Sequence, residues 1–281
     1  MDKNNAELKN VLETYNKKNA QPMSLKQNDI LSTTTDPDLL IAHEIVSLPS
    51  KGLHYSNGIS ELAIEYMTAE DEDILTTPSL IDNGTVLDVL LKRKIKTPNI
   101  NPNDLLPGDR NAILIFLRCS SYGSEYTVQV TDPRTGKPFE TKVDLLRLKY
   151  KENLEQPDEN GCYSIYIPMR KKTVKFRLLT YGEDNIIYKR AEARQAEFNE
   201  EVSKYNTFKL ISSIVSIDDN TSRDYIEKFI HAIPALDALT IRRKILEVSP
   251  DVDLQYTFTT TDDYEFKANL VLGIDFFFPG I

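Results

Sequence analysis

The stretch "DRNAILIFLRCSSYG", residues 109–123, constrains the fold more than any other part of the chain. From Ala112 to Cys119 it is almost wholly apolar, and a helix that is hydrophobic all round has to be enclosed by the rest of the protein. A buried central helix is therefore expected, with Asp109 as its candidate N-cap and Gly123 as its stop. Directly after it, "YTVQVTDPRTGKPFETKVDL" alternates on both sides of "TDPRTG", which predicts a β-hairpin with a polar turn.

Elements able to enclose such a helix are legible on both sides of it. "HEIVSLP" and "ISELAIEYM" read as strands, with Leu62, Ile64 and Tyr66 on one face and an Asn57-Gly58 turn pair between them. Thr68 and Asp71 have capping-box spacing, so the acidic run 70–73 marks a helix start. "NGTVLDVLLKRKI" predicts a further helix with Val86, Leu87, Leu90 and Leu91 on its apolar side and basic residues in its last turn. A second hairpin is expected at "CYSIYIPMRKKTVKFRLL", where Lys175 and Arg177 would form the solvated face or guarded edge of a strand. Thr180 and Glu183 form a T-x-x-E box opening a long polar helix through Tyr205, with a narrow stripe of Ile187, Ala191, Phe198, Val202 and Tyr205 and a Glu200/Lys204 pair. Shorter helices follow at "TFKLISSIVS", "SRDYIEKFIHAI" and "ALDALTIRRKILEV", broken by Pro234.

The chain then returns to alternation in "LQYTFTTTDDYEFKANLVLGIDFFFP", which echoes the first hairpin in its Thr/Asp-rich turn. Its end predicts a terminal strand with Phe276 and Phe278 pointing one way and Phe277 the other, either buried on both faces or leaving Phe277 in an exposed patch for a partner. The fold class is thus α+β: mixed strands and helices in the N-terminal half, a helical stretch, and a C-terminal β-hairpin packing back. Residues 1–40 read as an arm in which Leu8, Val11, Leu12 and Tyr15 have helical spacing. The remaining divisions are 41–180, an α+β domain with hairpins; 181–250, helical; and 251–281, the final hairpin and strand.

Composition excludes several function classes. The 281 residues carry a formal net charge of −9, which argues against nucleic acid as the main partner. The longest apolar runs fall far short of the ~20 residues of a membrane span, so no membrane partner is expected. No secretory signal opens the sequence, and Cys119 and Cys162 are too few for a disulfide framework, so a reducing compartment is expected. Each cysteine reads as a small hydrophobe.

A search for chemistry finds no phosphate-binding glycine loop, no dinucleotide fingerprint, no H-E-x-x-H and no nucleophile elbow. "DDNTSRD" alternates oxygen ligands as a calcium loop does, but has Arg223 where glycine and Phe229 where glutamate should stand. His43, His54 and His231 are scattered. Catalytic, cofactor-binding and metal-binding residues are accordingly set at none. The alternatives are a small-molecule enzyme with a loop-borne His54/Asp109 site, or a nucleic-acid-binding module through "RKKTVKFR". For a protein working by contacts, the candidate partner-facing residues are Phe277, Phe198, Val202, Lys171 and Lys172.

"LPSKGLHYSNGISELAIEYMTAEDEDIL", "LIDNGTVLDVLLKRKI", "DLLPGDRNAILIFLRCSSYGSEYTVQV" and the closing "FFFP" resemble, in that order, the T-even-type phage baseplate hub assembly protein family. The resemblance spans about residues 43–148, with a short match at the C-terminus and none over the first 40 residues. It implies a non-enzymatic hub subunit or assembly chaperone of a contractile tail, acting through other phage baseplate and tail proteins. Such a protein would reside in the virion tail baseplate or the host cytoplasm. Members often carry paired cysteines in the two hairpin turns, as in a zinc ribbon. Here "TDPRTG" and "TTTDDY" replace them, implying two ribbon-like hairpins that pack together without metal.

Overall fold

The computed structural model describes residues 41–152, 155–199, 201–260 and 262–277. The expected arm, Glu200 and Phe278 lie outside the described residues. The described residues from Ala42 onward belong to one unit with an α+β architecture of eight described helices and several small antiparallel sheets.

Strands β1 (His43–Ser47) and β2 (Glu61–Glu65) pair antiparallel, His43 opposite Glu65. Helices α1 (Ala69–Thr76), α2 (Pro78–Asp82), α3 (Val86–Lys94) and α4 (Pro107–Tyr122) follow. The capping box of α1 forms as the spacing predicts, with Thr68 and Asp71 exchanging backbone and side-chain hydrogen bonds. Helix α4 is the buried central helix, and Gly123 at φ 82 ends it. Asp109, however, is not its cap. Leu106 occupies the N-cap and Pro107 the first turn, where a missing N–H costs nothing, so Asp109 falls inside the helix and is fully buried.

The first hairpin, β3 (Glu125–Thr131) and β4 (Pro138–Asp144), turns at Asp132–Lys137. The second, β5 (Cys162–Ile167) and β6 (Lys172–Arg177), is extended by β7 (Ile214–Ile217) into a sheet of order β5-β6-β7. This corrects two expectations. β6 is a central strand, so for Lys175 and Arg177 the guarded edge fails and the solvated face, opposite buried Val174 and Phe176, stands; and "IVS" is a strand rather than the end of a helix. Ile214 and Ile217 are almost wholly buried, a burial that β-branched residues favour in strands.

Helix α5 (Tyr181–Glu197) opens with the predicted Thr180/Glu183 box but ends more than two turns before Tyr205. Only Ile187 and Ala191 of its stripe are buried, and Asn199 adopts φ 48, a left-handed conformation that asparagine tolerates better than most residues. Phe198 and Val202 therefore do not continue a helical stripe, and Lys204 precedes a separate helix, α6 (Tyr205–Ser213). α7 (Arg223–His231) and α8 (Ala235–Val248) complete the helical stretch.

The last hairpin, β8 (Gln255–Thr259) and β9 (Glu265–Asn269), packs back onto the first, with Phe139 and Phe266 edge-to-face at 6.2 Å between ring centroids. Among the described residues the expected terminal strand is not formed; Ile274–Phe277 is a 3-10 turn. Phe276 and Phe277 are nevertheless both 1% exposed, so the end is buried as expected, though in a turn and not in a strand. Arg118 of α4 anchors this turn, donating from Nε to the Phe276 carbonyl at 2.9 Å. Phe277 is thus covered by its own chain.

The buried side chains form two cores. One surrounds α4 and gathers Leu62, Ile64, Leu90, Leu91, Phe258, Phe276 and Phe277. The other lies between the three-stranded sheet and the later helices, with Val174, Phe176, Ile214, Ile226 and Ile241. Tyr55, in the loop joining β1 to β2, packs against both.

Candidate functional site

The loop Leu48–Ser60 carries His54, the most distinctive histidine of the sequence, and leads back to Asp109. Gly52 shapes it: at φ 77, its absent Cβ would stand 2.4 Å from the Gly58 carbonyl oxygen. Asp109 accepts from the Ser50 backbone N–H at 2.9 Å and from the Tyr55 hydroxyl at 2.5 Å, one bond to each carboxylate oxygen. The Tyr55 oxygen in turn accepts from the Leu106 N–H at 2.9 Å, so the loop is fastened to the start of α4. Burial pushes the Asp109 carboxyl above its ordinary range, and burial followed by the Asp109 charge raises the Tyr55 phenol.

His54 turns to the other core, its Nε2 lying 2.8 Å from the Tyr163 hydroxyl and its ring stacked on Tyr163. Burial lowers its pKa and pushes Tyr163 up to about 12. The two residues singled out for chemistry are therefore engaged with different partners. Asp109 has both oxygens committed, an arrangement suited to holding a loop rather than accepting a substrate proton.

The basic stretch after β5 is largely neutralised within the chain. Lys172 pairs with Asp218 and Lys175 with Asp158, each at 2.6 Å, and Arg177 makes paired bonds to Glu183. Lys171 occupies the exposed turn at φ 53. Of the expected contact residues, Phe198 and Val202 are 59% and 73% exposed in the α5–α6 connection, whereas Phe277 is enclosed.

A groove of about 390 Å³ opens between the start of α4, α6 and the last turns of α8. Leu106, Leu178, Leu210 and Ile245 furnish its apolar lining, and Leu246 stands 67% exposed at the rim. Gly108 makes the close approach at its base possible, since a Cβ there would lie 2.1 Å from the Pro250 carbonyl oxygen. Sequence reading missed this groove because its walls come from four separate segments. It also missed Lys94, wholly buried and 2.6 Å from Asp71, although positions 86, 90 and 94 share a helical face.

The family model described as T4 bacteriophage base plate protein matches residues 41–278. The chain belongs to that family. No curated protein and no solved structure matches it. This phage baseplate protein accordingly has its place in the virion tail, among other tail proteins. Among the described residues, no helix of the baseplate protein is long and apolar enough to cross a membrane, and no group of three or more His, Cys, Asp or Glu side chains is arranged to hold a metal ion.

Proposed function

We propose that this baseplate protein acts at the hub of a contractile tail, as a subunit or an assembly chaperone, by contact rather than catalysis. The observation that carries the reading is the contrast between its polar and apolar features. Asp109 and His54 are engaged inside the fold, while the groove beside α8 and the α5–α6 connection present apolar side chains to solvent. Large exposed apolar patches mark interaction sites on soluble proteins. Phe198 and Val202, with Lys171 and Lys172 on the β5–β6 hairpin, are the proposed contact positions outside the groove.

Deleting the gene and examining the tails tests this. Tails without complete baseplates are expected, and complete baseplates in its absence would overturn the reading. Mass spectrometry of purified virions then separates the two roles: a stoichiometric copy number identifies a subunit, and absence from virions that require the gene identifies a chaperone. Normal particle assembly by His54→Ala and Asp109→Asn variants that remain folded is the outcome expected of a non-enzymatic protein.

A further inference from the structure

The groove between α4, α6 and α8 has a charge pattern unlike the rest of this acidic chain. Its two acids are already engaged. Asp184 is paired with Lys209 at 2.8 Å, and the Asp251 carboxylate accepts from the Asn111 side chain at 3.0 Å and from the Val252 N–H at 2.8 Å. Of the two cations that line it, Lys209 is engaged by that pair and Arg242 is not. Arg242, exposed on the α8 wall, makes no ion pair or hydrogen bond among the described residues. Lys151 reaches the same wall, with Nζ 3.3 Å from the Leu246 carbonyl and 3.5 Å from that of Ser249, and it too has no carboxylate partner among the described residues.

Arg242 and Leu246 are one turn apart on α8, so a free guanidinium and a bare leucine stand side by side at the rim. A chain with net charge −9 that leaves one arginine unpaired and a lysine bonded only to carbonyls beside an apolar cleft is complementary there to a partner carrying an acid among apolar residues. The open, leucine-rimmed form suits side chains presented by a polypeptide, as in helix-in-groove recognition.

We infer that this groove seats an apolar segment of another baseplate protein, anchored by an aspartate or glutamate that reaches Arg242 and Lys151. Apolar side chains of the segment fill the cleft between Leu106, Leu210 and Ile245, and Leu246 closes over them. The carboxylate supplies orientation: reversed in the groove, the segment would leave Arg242 without its partner and place an acid near Asp184 or Asp251. The inference rests on the functional reading above and names the kind of partner that reading requires.

The test places the photo-cross-linker p-benzoylphenylalanine at position 246 of the full chain, expressed in infected cells. The cross-linked peptide is then sequenced by mass spectrometry. The expected product is one segment of a tail protein with apolar residues beside an Asp or Glu. Arg242→Glu should reduce its yield about tenfold without changing the thermal melt, and replacing the partner's acid by Arg should restore it. No cross-link, a small-molecule adduct, or a cross-link to a second copy or to residues 1–40 of this chain would overturn the inference. So would a segment without an acid, or a yield indifferent to Arg242→Glu. Tails that need the protein yet give no such cross-link would defeat groove docking alone, whereas tails complete without the protein would defeat the functional reading itself.

Discussion

Arg134, in the turn of the first hairpin, donates from Nη2 to both carboxylate oxygens of Asp262 in the turn of the last, at 2.9 and 2.8 Å. The guanidinium also lies over the Tyr264 ring, 4.0 Å from its centroid. Two turns separated by 128 residues in sequence are thereby held together. Thr260 and then Arg134 hold the Asp262 carboxyl below its ordinary range.

This contact is exposed, so its contribution should be salt-sensitive. Arg134→Ala and Asp262→Ala are each expected to lower the melting temperature slightly, and the double variant to lower it by less than their sum. A melt series in low and high salt checks this, and additive effects would show that the two side chains do not interact.

The Lys94 ammonium is enclosed with the carboxylates of Asp71 and Glu65. Lys94→Met removes the fully buried cation and leaves Asp71 only the half-exposed Arg93 and Glu65 only the half-exposed Lys96, and the expected loss is about 3–5 kcal/mol in urea denaturation. For Asp71, burial pushes the pKa up, but hydrogen bonds from Lys94 and Thr68 outweigh it and hold the carboxyl below 3.8. Its contribution is therefore present above pH 3.8 and lost as pH falls through the lower folded value. Acid unfolding of Lys94→Met should begin at higher pH than that of the parent protein.

Phe277 packs in the α4 core, with its ring edge-to-face on Phe276 at 5.5 Å. Phe277→Ala should cost about 3–5 kcal/mol through the cavity it leaves. Calorimetry reads this directly on the isolated protein, where partner binding plays no part.

His54 is held below 6.5 by burial. As pH falls through 6.5, the unfolded chain takes up a proton that the folded state refuses, so stability present at higher pH is progressively lost until the folded pKa is reached. Urea midpoints between about pH 8 and about pH 5 should fall with pH for the parent protein, and the slope should lessen in His54→Gln.

Much of the fold was legible locally. The Thr68/Asp71 and Thr180/Glu183 boxes, the apolar helix ended by Gly123 and the two polar-turned hairpins are each encoded within a few residues, where spacing acts through hydrogen bonds to adjacent backbone. The candidate site was much less so. His54 and Asp109 stood out by residue type, yet their bonds to Tyr163 and Tyr55 span 109 and 54 residues, which no local pattern encodes.

By itself, then, the sequence determined the α+β class, most element starts and the family, because these depend on side-chain period, capping chemistry and ordered motifs. Tertiary structure decided that β7 joins β6, that Asp109 fastens a loop instead of capping a helix, and that the final phenylalanines coil into a buried turn. Each of these depends on which distant surface is available to cover an apolar side chain or complete a hydrogen bond. Arg118 illustrates the difference: a cation within the buried central helix, it has its reason in the Phe276 carbonyl, 158 residues away.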